Sequence, residues 1–167
     1  LKTLPKSWFP AVLLDIERGS RALEGQFEEG EFLTFLLEDQ VANKNGILRP
    51  VAYAQSLGVV SAIQENELKC NTLIIDSITR LYNAILDFGL KDAAEDKKPG
   101  FDEWGAALRS TIKFVQLCAQ LNKNIIFIGH EKAHANEVTG IEQGVPALSG
   151  QLGTLLPTYF DEVLHTI

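Results

Sequence analysis

The chain has no methionine and only two cysteines among its 167 residues. Cys70 and Cys118 lie far apart with no second thiol near either, which excludes both a zinc knuckle and a disulfide framework and points to a reduced, cytosolic setting. No apolar run approaches the ~20 residues that a membrane-spanning helix needs, and no signal-peptide pattern is visible, so no membrane partner is expected. Basic residues are in deficit. The 15 Lys and Arg face 22 Asp and Glu, a net charge of −7, which excludes a broad DNA-coating surface but not a local positive groove. Repeats and low-complexity tracts are also missing. A chain that begins at Leu1 and lacks Met throughout is expected to be a piece of a longer one.

What is present suits one domain with a real core, since 46% of the residues are hydrophobic. Ala11–Ile16, Thr72–Asp76 and Ile125–Ile128 are short apolar runs of the kind that form strands buried on both faces of a parallel sheet. Leu1–Ser7 reads as the last turns of a helix stopped by Pro5 and Pro10, and Glu31–Asp39 as a further helix. Pro50–Leu68 predicts a helix with Val51, Ala54, Leu57, Val60 and Ile63 at helical spacing. Helices are also predicted over Ile78–Phe88 and Phe101–Leu121, the latter with Asp102 as N-cap and Leu108, Ile112, Val115 and Leu117 on its apolar side. Ser149–Leu156 reads as a short helix and Phe160–Ile167 as a last strand. Glu17–Gly30 is expected to be loop with a short helix at most, Asn43–Gly46 a turn, and Gly89–Gly100 and Glu131–Ala147 loops. Strands alternate with helices, so the class is α/β with a mostly parallel sheet.

The chemistry gathers at strand ends, beyond which parallel sheets bind ligands. Leu73-Ile74-Ile75-Asp76-Ser77 has the form of a Walker B element, whose carboxylate holds Mg²⁺ through water; an acid that simply caps the next helix is the plainer alternative. Leu13-Leu14-Asp15-Ile16-Glu17-Arg18 sets Asp15 and Glu17 on one side of an alternating strand end. Paired carboxylates there are costly unless they face solvent, metal or a nucleophilic water, and Glu17 is the candidate general base. The competing reading is a solvated loop start with Arg18 neutralising one acid. His130 directly follows Ile125–Gly129, where an imidazole is placed to sense a γ-phosphate; a structural histidine is the alternative.

In the order and spacing of these pieces the chain resembles the RecA-like P-loop ATPases, most closely the phage-type AAA ATP-binding proteins that include single-strand-annealing recombinases. The matching pieces are Leu14–Leu23, Leu73–Thr79, Phe101–Gly105, Ile126–Lys132 and Pro146–Val163, with Gln26–Asn71 poorly matched. The resemblance implies a RecA-like three-layer core that binds ATP and Mg²⁺. It makes Glu17 the catalytic glutamate, Asp76 the magnesium aspartate with Asp15 and Ser77 beside the nucleotide, and His130 the sensor that is often glutamine in RecA itself. It also implies single-stranded DNA as partner through Ala84–Gly100 and Glu131–Ala147, a homo-oligomeric ring or filament, and the host cytoplasm if the chain is phage-encoded. One part departs from the pattern. No G-x-x-x-x-G-K-[ST] occurs, and Leu1–Pro5 looks like the tail of the helix that such a loop opens, so the expectation is a single ATPase core cut just after its phosphate-binding loop.

Two other readings belong to different classes. One is a nucleotide-independent assembly module on a RecA-like shell. The other is a zinc protease, because His130-Glu131-Lys132-Ala133-His134 satisfies H-E-x-x-H and Glu137 extends it. That chemistry needs both histidines on one helical face, whereas the apolar run before His130 reads as a strand. Phe101 and Trp104 are expected to anchor a helix start in the core rather than stack bases, and Lys91, Lys97 and Lys98 sit among enough acids to form a solvated loop.

Overall fold

The computed structural model describes residues 3–38, 40–42, 48–90, 98–135 and 142–165. The chain divides into two compact units, Leu1–Ile128 and Gly129–Ile167.

The first unit is built on four parallel strands in the order β2-β1-β5-β6. These are β1 (Ala11–Asp15), β2 (Phe32–Leu36), β5 (Thr72–Asp76) and β6 (Asn124–Ile128); the short strands β3 (Gln40–Ala42) and β4 (Leu48–Pro50) pair separately as an antiparallel ribbon. All five residues of β1 are buried, as are the first four of β5. That is the burial expected of central strands covered on both faces. Ala11, Leu13 and Ile74 form the cluster of one face, with Phe9, Leu23, Phe32 and Ile126 packed on it. Helices α1 (Ala52–Gln64), α2 (Ile78–Leu90) and α3 (Phe101–Ala119) follow. Tyr53 of α1 meets the rings of Phe88 in α2 and Phe114 in α3 edge-on at 5.6 and 6.4 Å, which ties the three helices together. A mostly parallel sheet flanked by helices is the α/β arrangement that the RecA-like resemblance implies.

Contacts close the amino end of the sheet. Thr72, fully buried, donates from Oγ1 to the Trp8 carbonyl at 2.6 Å, and Asn71 Nδ2 donates to the Phe9 carbonyl at 2.6 Å.

Several expectations need correction. Glu31–Asp39 contributes no helix among its described residues; Phe32–Leu36 is strand β2, because aromatic and branched side chains pair beside β1, from Ala11 with Phe32 to Asp15 with Leu36. Asp39, the Asn43–Gly46 turn and most of the 89–100 loop lie outside the described residues. Near the start, the described residues form only a single 3-10 turn, Lys6–Trp8, rather than helix turns. In α1 the buried stripe is Ala52, Ser56, Val59, Val60 and Ile63; Val60 and Ile63 are as expected, whereas Val51 is the N-cap and Ala54 is exposed. Ser56 is tolerated in that stripe because its hydroxyl donates to the Ala52 carbonyl at 2.8 Å. The buried stripe of α3 is Ala107, Thr111, Phe114, Val115 and Cys118, while Leu117 is exposed. Gly100, not Asp102, is the N-cap, and its N–H bonds the Glu103 carboxylate at 2.9 Å. Phe101 is 97% exposed, so it is no core anchor, whereas Trp104 stacks on Tyr82 at 6.2 Å.

The second unit is a hairpin of β7 (Glu131–Ala135) and β8 (Glu142–Pro146) followed by α4 (Leu152–Leu155) and a 3-10 turn, Leu156–Tyr159. Its buried apolar residues are Val145, Leu148, Leu152 and Leu156. The hairpin replaces the expected Glu131–Ala147 loop, since backbone pairing between the two arms does not depend on the apolar alternation by which strands are read from sequence. The expected last strand over Phe160–Ile167 is not found among its described residues. Among the described residues no helix is long and apolar enough to cross a membrane.

Candidate functional site

Parallel register decides which side chains meet. Asp15 is the last residue of β1 and pairs with Asp76, the last of β5, which in turn pairs with Ile128 at the end of β6. Adjacent strands lie roughly 4.8 Å apart, so two acids end neighbouring strands at the carboxyl edge of the sheet. Beyond β1 the chain stays against β5: the Asp76 carbonyl accepts the N–H of Ile16 at 2.7 Å and of Glu17 at 3.3 Å. The peptide bond between Asp76 and Ser77 is cis.

Ser77 is fully buried and immediately precedes α2. Its hydroxyl donates to Glu17 Oε1 at 2.5 Å and accepts the Arg80 N–H at 3.1 Å. The second of these bonds is an ordinary N-cap, satisfying one of the first-turn donors of the helix. The first reaches across to the end of the neighbouring strand. Glu17 and Asp76 are both half-buried.

Asp15, expected beside the nucleotide, is engaged by the loop that follows it. It is fully buried, and its oxygens accept the backbone N–H of Gly19 at 3.1 Å and of Ser20 at 2.8 Å. Burial pushes its carboxyl up, but hydrogen bonds from the Ser20 side chain and from the backbone of Ser20, Gly19 and Arg18 outweigh this and hold it below the ordinary carboxylate value. The carboxylate therefore clamps the turn that leaves β1, where Arg18 adopts a left-handed conformation with φ 60. The Arg18 guanidinium lies 3.7 Å from Glu38, both side chains largely exposed, a contact that contributes little.

His130 lies two residues beyond β6 and belongs to the second unit, where its carbonyl accepts the Ala147 N–H at 2.7 Å. Lys132 in the same hairpin donates from Nζ to the Leu148 carbonyl. Glu131 Oε2 lies 2.8 Å from His165 Nδ1. Residues Glu131 to Ala135 form a strand, so the H-E-x-x-H helix of a zinc protease is not formed; Glu137 lies outside the described residues. Among the described residues no cluster of three His, Cys, Asp or Glu is arranged to hold a metal ion.

Sequence reasoning brought Asp76, Ser77 and Glu17 to one edge but missed the bond between the last two, and missed Gly19 and Ser20 as the partners of Asp15. A signal existed for the second: Gly-Ser shortly after an aspartate is turn chemistry. None existed for the first, since Ser77 and Glu17 are far apart in the chain.

A parallel α/β sheet with acids at the carboxyl ends of its central strands places those acids where such folds bind their ligands. A family model for the AAA domain matches residues 3–167, and the chain belongs to that family of AAA-type P-loop ATPases, which use ATP and Mg²⁺. No curated protein and no solved structure matches the chain.

Proposed function

We propose that this AAA domain is the ATPase core of a protein that acts on single-stranded DNA in recombination or replication of the phage type. The observation that supports the hydrolytic half is the meeting of Asp76, Glu17 and Ser77 at the carboxyl end of adjacent parallel strands. In this reading ATP supplies the phosphoanhydride bond and Mg²⁺ neutralises its developing charge. Asp76 is the residue that would hold the metal ion. Glu17, oriented from its backbone by the Asp76 carbonyl, accepts the proton of the attacking water. Asp15 acts one step back, by ordering the turn that carries Glu17. His130 has the γ-phosphate sensor role that the resemblance assigns. The chain's own residues fit the metal and water side of such a site and not its phosphate cradle, since no G-x-x-x-x-G-K-[ST] is present.

The DNA half rests on the ordered resemblance of the motifs, as do the homo-oligomeric ring or filament and the cytoplasmic setting. With a net charge of −7, binding to single strands depends on few phosphate contacts and is weakly salt-dependent.

Glu17→Gln in the full-length protein tests the reading. MgATP binding persists, while hydrolysis falls about 100-fold or more, because the amide keeps the shape of the side chain but not its basicity. Native turnover in the folded variant reduces Glu17 to a loop residue. A full-length protein that does not bind MgATP favours the assembly-module reading instead.

A further inference from the structure

The Ser77 hydroxyl has a single proton, and the structure directs it away from its own helix. As a cap for α2 the oxygen needs only to accept, which it does from the Arg80 N–H at 3.1 Å. The proton is given to Glu17 Oε1. Full burial of Ser77 keeps solvent from competing for that bond. The backbone of Glu17 is held on the same strand end, through its N–H on the Asp76 carbonyl. Thus Glu17 is held at its backbone N–H and at its carboxylate by consecutive residues of the β5–α2 junction, while Asp15 clamps the turn that follows Glu17 at Gly19 and Ser20.

We infer that Ser77 is a positioning residue for Glu17: by donating a hydrogen bond to its carboxylate it sets the direction in which Glu17 meets the attacking water, and it makes that direction follow the N-terminus of α2. This goes one step past the proposed hydrolytic site and rests on Glu17 being its base. The Ser77 oxygen is thereby assigned to Glu17 and to the helix, not to the nucleotide. The role needs a short side chain with both a donor and an acceptor. Serine and threonine satisfy it; alanine offers neither, and an ionised aspartate can cap the helix but cannot donate.

The experiment measures steady-state ATP hydrolysis and MgADP affinity for full-length Ser77→Ala, Ser77→Thr and Ser77→Gly, with Glu17→Gln and the double variant Glu17→Gln/Ser77→Ala alongside. Ser77→Ala lowers kcat about 10- to 100-fold, the scale of a misdirected catalytic group, with MgADP affinity within about twofold of native. Ser77→Thr keeps kcat, and the double variant is no slower than Glu17→Gln alone. Glycine is tolerated at a helix start but cannot donate, so Ser77→Gly remains informative where Ser77→Ala fails to fold, and it too is slow. Native kcat in folded Ser77→Ala or Ser77→Gly, or additive losses in the double variant, overturns the inference while leaving the role of Glu17 standing. Native kcat in Glu17→Gln overturns the hydrolytic reading itself, and the two failures are thereby told apart.

Discussion

Replacing Asp15 isolates a clamp that the fold builds from one buried carboxylate. Two of its bonds, from the N–H of Gly19 and of Ser20, are made to a charged acceptor, and such bonds contribute about 1.5–3 kcal/mol each. Gly19 is exposed and Ser20 half-buried, so the released amides regain water and the lower figure applies. Asp15→Ala should therefore cost about 3 kcal/mol, and Asp15→Asn, which keeps one acceptor, about 1.5 kcal/mol. Urea unfolding of the full-length protein at pH 7 reads these values, and hydrogen exchange at Gly19 and Ser20 locates them. The pH dependence has a definite sign. Because the carboxyl is held below its ordinary value of 3.8, the folded state binds fewer protons than the unfolded one there, so the clamp's contribution is complete above that value and is lost as pH falls through the folded value. The gap between native protein and Asp15→Asn should accordingly narrow on acidification below about pH 4. A variant within about 0.5 kcal/mol of native at pH 7, or a gap that widens in acid, would refute the argument.

The thiols give a second test: Cys118 is fully buried and its pKa is pushed by burial from 9.0 to about 12, so native protein should resist alkylation at pH 8 and react only once unfolded. The raised value means that this thiol's contribution to stability is complete below pH 9.0 and is lost as pH rises toward about 12; an alkaline unfolding curve unchanged by Cys118→Ser would count against this. In the second unit, a Cβ on Gly144 would collide with the Glu131 carboxylate. Because that group ends a flexible side chain, Gly144→Ala should change stability by only about 0.5 kcal/mol while separating Glu131 from His165, seen as loss of the proton–proton contact between them by NMR. Persistence of that contact in the variant would contradict the geometry.

Much of the framework was legible because it depends on local composition. Apolar runs at β1, β5 and β6 can be satisfied only in a buried sheet, and the polar residues that follow them must then stand at its carboxyl edge. The helices α1, α2 and α3 were legible as elements, whereas the apolar stripes of α1 and α3 were only partly placed, with Val60 and Ile63 right in the first and Val115 in the second. The conflict at Phe32–Leu36 shows where that reasoning stops: the same apolar residues suit a helix or a strand, and only the open edge of β1 selects the strand. The hairpin β7–β8 was illegible for a related reason, since its ladder is made by backbone groups that every sequence possesses. At the site, residue types announced an acid-rich edge, but not which acid faces inward. Asp15 turns to its own loop because two amides are presented there at hydrogen-bond distance. Ser77 reaches Glu17 because parallel register brings the ends of β1 and β5 side by side, a juxtaposition of distant residues that no local pattern encodes.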